Sequence, residues 1–324
     1  MRSLILIALA GAAAQLVDGG IGMGFGVTST TMLLLAGLGP ATASAVVHTS
    51  ELGTTLVSGI SHWRFGNVHW PTVFKLGVPG GISAFLGATL LSNLSLEAAA
   101  PVTSAILVIM GINLVWRFSQ PRRKKPPTAR SHSTPFLAGL GVVGGFVDAS
   151  GGGGWGPLST STLMAVGREQ PRRIVGTVTT AEFLVTFGAT AGFLVGLWEQ
   201  IVANAAAVVA LLIGGTITAP IAAWLISRVN PTVLGGLVGT AIVTLNVPRA
   251  LGWALPHPAI LGLQIAALVV GVGLSVWASR RRTRREREGN QDGRHAPARG
   301  GSRVVVSSEP EAAESTAPVG VNAD

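Results

Sequence analysis

A glycine-rich break occurs twice inside apolar sequence, as Asp18-Gly-Gly-Ile-Gly-Met-Gly-Phe-Gly26 and as Asp148-Ala-Ser-Gly-Gly-Gly-Gly-Trp-Gly156. Each copy runs into a hydroxyl-rich helix start, Thr28-Ser-Thr-Thr31 and Ser159-Thr-Ser-Thr162. At one constant offset the two stretches share Asp18/Asp148, Gly22/Gly152, Gly24/Gly154, Gly26/Gly156, Ser29/Ser159, Thr30/Thr160 and Leu33/Leu163. Glycine at this density interrupts a helix and lets backbone adopt positive φ or approach another group closely. The chain is therefore a duplication, and its duplicated element is an unwound one.

Hydrophobic residues make up 48% of the chain and charged residues 11%, which places it among polytopic membrane proteins. The apolar runs lie near 3–17, 27–38, 41–61, 72–92, 97–116, 135–147, 156–166, 173–197, 201–226, 232–247 and 258–279. The net charge of +9 comes mainly from the linker Arg117 to Arg130 and from the tail that begins Arg280-Arg-Arg-Thr-Arg-Arg285. Both clusters flank apolar spans, so they read as cytoplasmic retention signals, not as a nucleic-acid surface. The tail turns polar and acidic from about Glu286 to Asp324 and is expected to be disordered. Absence of cysteine excludes disulfides, thiolate catalysis and thiolate metal sites. Arg2, Leu4 to Leu9 and Ala12 to Ala14 have the pattern of a signal peptide. The same kind of segment recurs at 136–147 before the second break, so residues 4–17 read as part of the fold.

A membrane crossing takes about 20 helical residues. Segment 27–38 covers only about 18 Å at 1.5 Å per residue, so it cannot cross alone. It either completes a broken span with 3–17 or returns from mid-depth as a re-entrant hairpin. The charges decide between these. With hairpins, a cytoplasmic linker puts Arg64, Arg168, Arg172, Arg173, Arg228 and the basic tail on the same side, leaving only Arg2 and Arg249 outside. Broken spans would put the Arg280 cluster outside. The expected all-α fold is two repeats, 1–117 and 135–250, each a hairpin plus three full spans, joined by a basic linker 118–134. Three spans per repeat is an odd number, so the repeats are inverted relative to each other, a transporter architecture. A further span in 251–279 returns the disordered tail 280–324 to the cytoplasm, with the N-terminus outside.

At each hairpin tip the next helix starts with unpaired N–H groups and its positive dipole end, a place suited to small anions. The candidate binding residues are Gly24, Gly26, Thr28, Ser29, Thr30, Gly154, Gly156, Ser159 and Thr160. Single glycines such as Gly139 and Gly271 read instead as helix-packing contacts. A dinucleotide fingerprint can be laid over Gly22, Gly24 and Gly26, but no βαβ pattern surrounds it. Glu51 and Glu182 hold the same register after Pro40 and Pro171. Ionisable residues in spans face the interior, and each of these either carries a proton during transport or braces the adjoining hairpin. His48 shares a helical face with Glu51 and joins the proton-coupling candidates. Asp18 and Asp148 are placed to accept backbone N–H groups of the tips. Asn113 and Asn246, paired in the third spans, either bind substrate or join helices.

With these residues in view, the chain resembles the TauE/SafE family of membrane permeases, described as sulfite or sulfonate exporters. The resemblance covers about residues 3–279 and rests on the two hairpins, the acidic residue in the following helix, and the loop His62-Trp-Arg-Phe-Gly-Asn-Val-His-Trp70. It differs in the first hairpin, which reads Ile-Gly-Met-Gly, and in Pro157 of the second. The resemblance implies export of sulfite, a sulfonate or a related organic acid. The expected protein is a secondary transporter of the cell membrane working by alternating access, with a small anion and protons as partners and with no cofactor or metal. An uncoupled anion channel and a non-transporting membrane scaffold are the alternatives; a membrane enzyme lacks any catalytic motif in the sequence.

Overall fold

The computed structural model describes residues 2–21, 23–120, 132–166, 169–226 and 231–295. Every regular element among the described residues is helical. The first repeat holds α1 (Arg2–Ile21), α2 (Phe25–Leu35), α3 (Pro40–Arg64), α4 (Trp70–Ser92) and α5 (Leu96–Ser119). In the second, α6 (Thr134–Gly151) is followed by a π turn (Gly156–Thr160) that continues into α7 (Ser161–Val166), then α8 (Pro171–Ala203), α9 (Ala205–Ile226) and α10 (Pro231–Leu251). The last helix is α11 (His257–His295). The helical body comprises Met1–Thr283, and Arg284–Asp324 form a separate unit.

The helices break where the glycines are. Gly24, Gly152, Gly153 and Gly154 have φ of 130°, 69°, 145° and 158°, a region that residues with a Cβ rarely enter. Gly22 lies outside the described residues, as do linker residues 121–131, Arg168, Arg228 and residues 296–324. Where a disordered tail was expected from Arg280, helix α11 continues to His295.

Five helices are long and apolar enough to cross a membrane, Trp70–Ser92, Leu96–Ser119, Pro171–Ala203, Val233–Leu251 and His257–Arg282. The protein is thus a multi-pass membrane protein. Helix α3, at 25 residues, has the length, but Ser44, His48, Ser50, Glu51 and Thr55 dilute its hydropathy, and all five are buried against other helices. A polar stripe turned inward lowers mean hydropathy without presenting charge to lipid. Helix α9 has 22 residues. Helix α2, at 11 residues, reaches only about 16 Å.

Packing respects the duplication. The long hairpin arm α1 lies on α9 and its counterpart α6 lies on α4, while α3 pairs with α8 and α5 with α10. Exchanging the repeats maps this set onto itself, but α4 also packs along α8 far more extensively than its counterpart α9 packs on α3. Glycine makes the contacts close. A Cβ on Gly141 or Gly145 would collide with the Leu76 or Gly80 carbonyl of α4, and one on Gly11 or Gly214 with the Leu211 or Ala8 carbonyl in the α1–α9 pair. Gly111 and Gly239 face each other's carbonyl oxygens, which a Cβ would approach to 2.8 and 2.6 Å. Gly271 likewise packs on Thr240. Gly139 corrects the packing expectation, for nothing lies within 4 Å of a Cβ built there. It faces outward on α6.

The short hairpin arms are tied crosswise. Arg249 of α10 donates to the Leu34 carbonyl at 3.1 Å, and Asn246 donates to Thr31 Oγ1 at 3.0 Å, both on α2. Arg117 of α5 donates to Ser161 Oγ and contacts Met164 Sδ at 3.0 Å, both on α7. Thr31 and Ser161 are the same position of the duplication, so each short arm is held by the third long helix of the other repeat. Arg249, an exception to the charge pattern, serves the C-terminal end of α2, where a cation is favoured.

Gly141→Val is expected to destabilise the protein by about 3 kcal/mol or more, because overpacking here meets backbone and not a movable side chain. Gly139→Ala is expected to leave the melting temperature unchanged or slightly raised. Thermal unfolding of the two variants in detergent checks both.

Candidate functional site

The site grows from the two tips. Asp148 Oδ1 accepts the Trp155 backbone N–H at 2.8 Å, and the Asp18 carboxyl is bonded to the Phe25 backbone N–H. Both bonds span seven residues and close the glycine loop in the same way, pairing one amide that the interrupted helix leaves open. Trp155 is fully buried, and its indole N–H donates to the Val178 carbonyl of α8 at 3.1 Å. The tips abut: a Cβ on Gly26 would lie 2.8 Å from Gly153 Cα, and one on Gly156 3.0 Å from Met23 Cβ. Thr30 Oγ1 donates to the Gly152 carbonyl. The counterpart contact would involve Gly22, outside the described residues.

Between the tips and helices α3 and α8 lies a cavity of about 280 Å³. Of the residues predicted for the site, Gly24, Gly26, Gly154, Gly156, Thr160, Glu51 and Glu182 line it, together with Asp18 and Asp148. Sequence reasoning missed Gln15, Thr54, Thr55, Ser58, His62 and Thr179, which also line it. A signal for most of them existed. Thr54, Thr55, Ser58 and His62 follow Glu51 at helical spacing, a polar stripe on an otherwise apolar helix. Thr55 and Thr186, matched by the duplication, meet at 3.5 Å across the α3–α8 seam.

The remaining predicted residues stand outside the cavity wall. Ser29 Oγ donates to the Phe25 carbonyl at 2.7 Å. Asn246 joins α10 to α2 as described. The Thr28 and Ser159 hydroxyls and Asn113 Oδ1 are buried without a hydrogen-bond partner among the described residues.

His48 backs the wall without lining it. Its Nδ1 lies 3.0 Å from Glu51 Oε2 and 3.9 Å from Asp148 Oδ2, its Nε2 lies 3.2 Å from the Asp148 carbonyl, and its ring stacks on Phe193. Both ring nitrogens face acceptors, so His48 fixes the Glu51 carboxylate relative to the second tip. At the matching position the second repeat has Thr179, and the Glu182 carboxyl has no hydrogen bond among the described residues. The wall combines tip amides, hydroxyls, the His62 imidazole and four carboxyl groups, with no Lys or Arg among the described residues.

Asp148→Ala is expected to lower stability by about 1–3 kcal/mol, because the Trp155 amide is left buried without an acceptor. Asp148→Asn retains the Oδ1 acceptor and is expected to lose less than half as much. Paired thermal melts distinguish the two.

Comparison with known proteins places these features in context. The family model described as Sulfite exporter TauE/SafE matches residues 7–247. The chain is 46% identical over 252 residues to the Probable membrane transporter protein YtnM of Bacillus subtilis (strain 168), over 76% of this chain and 82% of that protein. No solved structure matches it.

Proposed function

The chain belongs to the sulfite exporter TauE/SafE family of membrane transporters, and from that premise we propose that it exports a small anion by proton-coupled alternating access. Sulfite, a sulfonate or a related organic acid is the cargo class. The observation that carries this reading is the cavity where two glycine tips meet two carboxylate-bearing helices. Backbone breaks in a membrane protein persist where they are buried in protein or line a cavity, and these two do both.

In this reading 1–117 and 135–250 are inverted repeats with re-entrant hairpins, 118–134 is a cytoplasmic linker, 251–279 adds a crossing, and the tail 280–324 is cytoplasmic. Lining residue His62 stands two positions before Arg64, and Val175 two positions after Arg173. Basic ends belong on the cytoplasmic side. The cavity therefore faces the cytoplasm, the loading side for export.

First-turn amides of α2 and of the π turn, with the Thr160 hydroxyl, hold the anion. Pro157 stands where the first tip has Val27, so the second tip has one amide fewer. Glu51 and Glu182 face the same space, and their negative charge opposes the anion until protons neutralise it. Anion binding and protonation are thereby linked, so apparent affinity falls as pH rises on the loading side.

Uptake of radiolabelled sulfite and of small sulfonates and carboxylates into proteoliposomes, with and without a pH gradient, tests this reading. Gradient-driven flux in the wild type, lost in Glu182→Gln, is the expected result. Flux indifferent to the gradient would make the protein an uncoupled channel, and no flux of any solute would sink the cargo class. The topology is checked separately. Because the chain has no cysteine, a single cysteine at Asn67 or at Ser279 is expected to react with a membrane-impermeant reagent only after the cytoplasmic face is opened.

A further inference from the structure

We propose that the transported solute is a small zwitterion, an acid group and an ammonium on one short skeleton, and not a plain anion. The inference rests on reading the cavity as the transport site and replaces the plain acid with one that also carries an ammonium.

The charge inventory of the wall carries it. Sites built for sulfonate or carboxylate commonly place Arg or Lys against the acid group, yet among the described residues no Lys or Arg lines this cavity and His62 is its one imidazole, while Asp18, Glu51, Asp148 and Glu182 all line it. His48 serves Glu51 at 3.0 Å and stands 3.9 Å from Asp148 Oδ2, beyond hydrogen-bond reach. Asp148 is 3% exposed; its carboxyl group is bonded to the Trp155 and Gly154 amides, and its Oδ2 has no hydrogen-bond partner among the described residues. Glu182, from α8 and half-buried, has no donor among the described residues either. One buried carboxylate oxygen and one carboxyl group at the cavity surface thus lack donors, and leaving the buried one unserved is costly.

An ammonium supplies three donors and a compensating charge. A bare amine is the poorer fit, because the tips present positive dipole ends that repel it unless an acid group travels alongside. The wall holds both halves of a dipolar site: amides at Gly26 and Gly156 for the acid, and oxygens of Glu182 and Asp148 for the ammonium. A cavity of about 280 Å³ falls just below the range that accommodates drug-sized ligands, which suits a short amino acid or aminosulfonate. With the ammonium seated, Glu182 needs no proton. In the empty carrier a proton takes that place, so a zwitterion and a proton exchange on one carboxylate and its apparent affinity rises with pH, the reverse of what a plain anion carried with a proton gives.

The test compares proteoliposome uptake of three radiolabelled solutes of matched length, 3-aminopropanesulfonate, propanesulfonate and propylamine. The wild type is expected to take up the aminosulfonate at least about tenfold better than either of the others, and Glu182→Gln to narrow its advantage over propanesulfonate. The wild-type ranking stands as a test even where the variant fails to fold. Propanesulfonate transported as well as or better than its amino counterpart overturns the zwitterion and leaves the anion transporter standing. Propylamine transported as well as the aminosulfonate, or no flux of any of the three, overturns the zwitterion, and flux of sulfite or a carboxylate in the same vesicles keeps the anion transporter standing.

Discussion

Amides released by a broken helix inside an apolar body need acceptors that water cannot supply, and the carboxylates of Asp18 and Asp148 meet that need. Each closes its own glycine loop on the amide seven residues ahead, Phe25 in one repeat and Trp155 in the other. This bond acts beside others at the tips, from Thr30 to the Gly152 carbonyl and from Trp155 to the Val178 carbonyl. With it, glycines at positive φ can turn the chain within three residues, the two tips can touch through Gly26, Gly153, Gly156 and Met23, and a cavity remains beside them. The same two aspartates contribute to the wall of that cavity. Structural closure and the candidate site's negative charge are therefore properties of the same side chains.

Around the tips the repeats are interleaved. Long arms α1 and α6 lie on second helices of the opposite repeat through glycine contacts too close for any Cβ, and the short arms are tied by Arg117, Asn246 and Arg249 to opposite third helices. Neither hairpin is held mainly by its own repeat. On the alternating-access reading, each hairpin then moves with the opposite repeat's second and third helices. The two groups meet where α5 crosses α10 at Gly111 and Gly239, while the α3–α8 pair, meeting at Thr55 and Thr186 at 3.5 Å, belongs to neither.

The sequence made the large features legible because they are periodic or duplicated: apolar runs, short segments around the breaks, and the matched Asp, Gly and Glu positions. Glu51 and Glu182 do face one cavity with Gly24, Gly26, Gly154, Gly156 and Thr160. Hydroxyl orientation was not legible. Ser29 donates to the carbonyl four residues behind it and Thr30 to a carbonyl of the other tip, and a helical Ser or Thr always has such a local option. Asn246 and the His48 contact with Asp148 depend on partners 215 and 100 residues away, which spacing along one helix cannot reveal. Gly139 failed for the opposite reason, because a glycine on an outward helix face looks the same in sequence as one at a helix crossing.

Duplication does not make the halves equal, and the departures fall where the chemistry is. Val27 in the first tip becomes Pro157 in the second, Met23 becomes Gly153, and His48 becomes Thr179. The last exchange separates the two carboxylates. Glu51 is bonded to His48, which is itself fixed to the second tip through the Asp148 carbonyl and stacked on Phe193. Its charge already has a partner inside the protein, so a solute arriving there must compete with an existing bond. Glu182 has none among the described residues. On the proposed reading, a group that must bind and release a proton or an ammonium in each cycle works best where nothing fixed competes for it, which would give the exchanging role to Glu182 and the positioning role to Glu51 with His48.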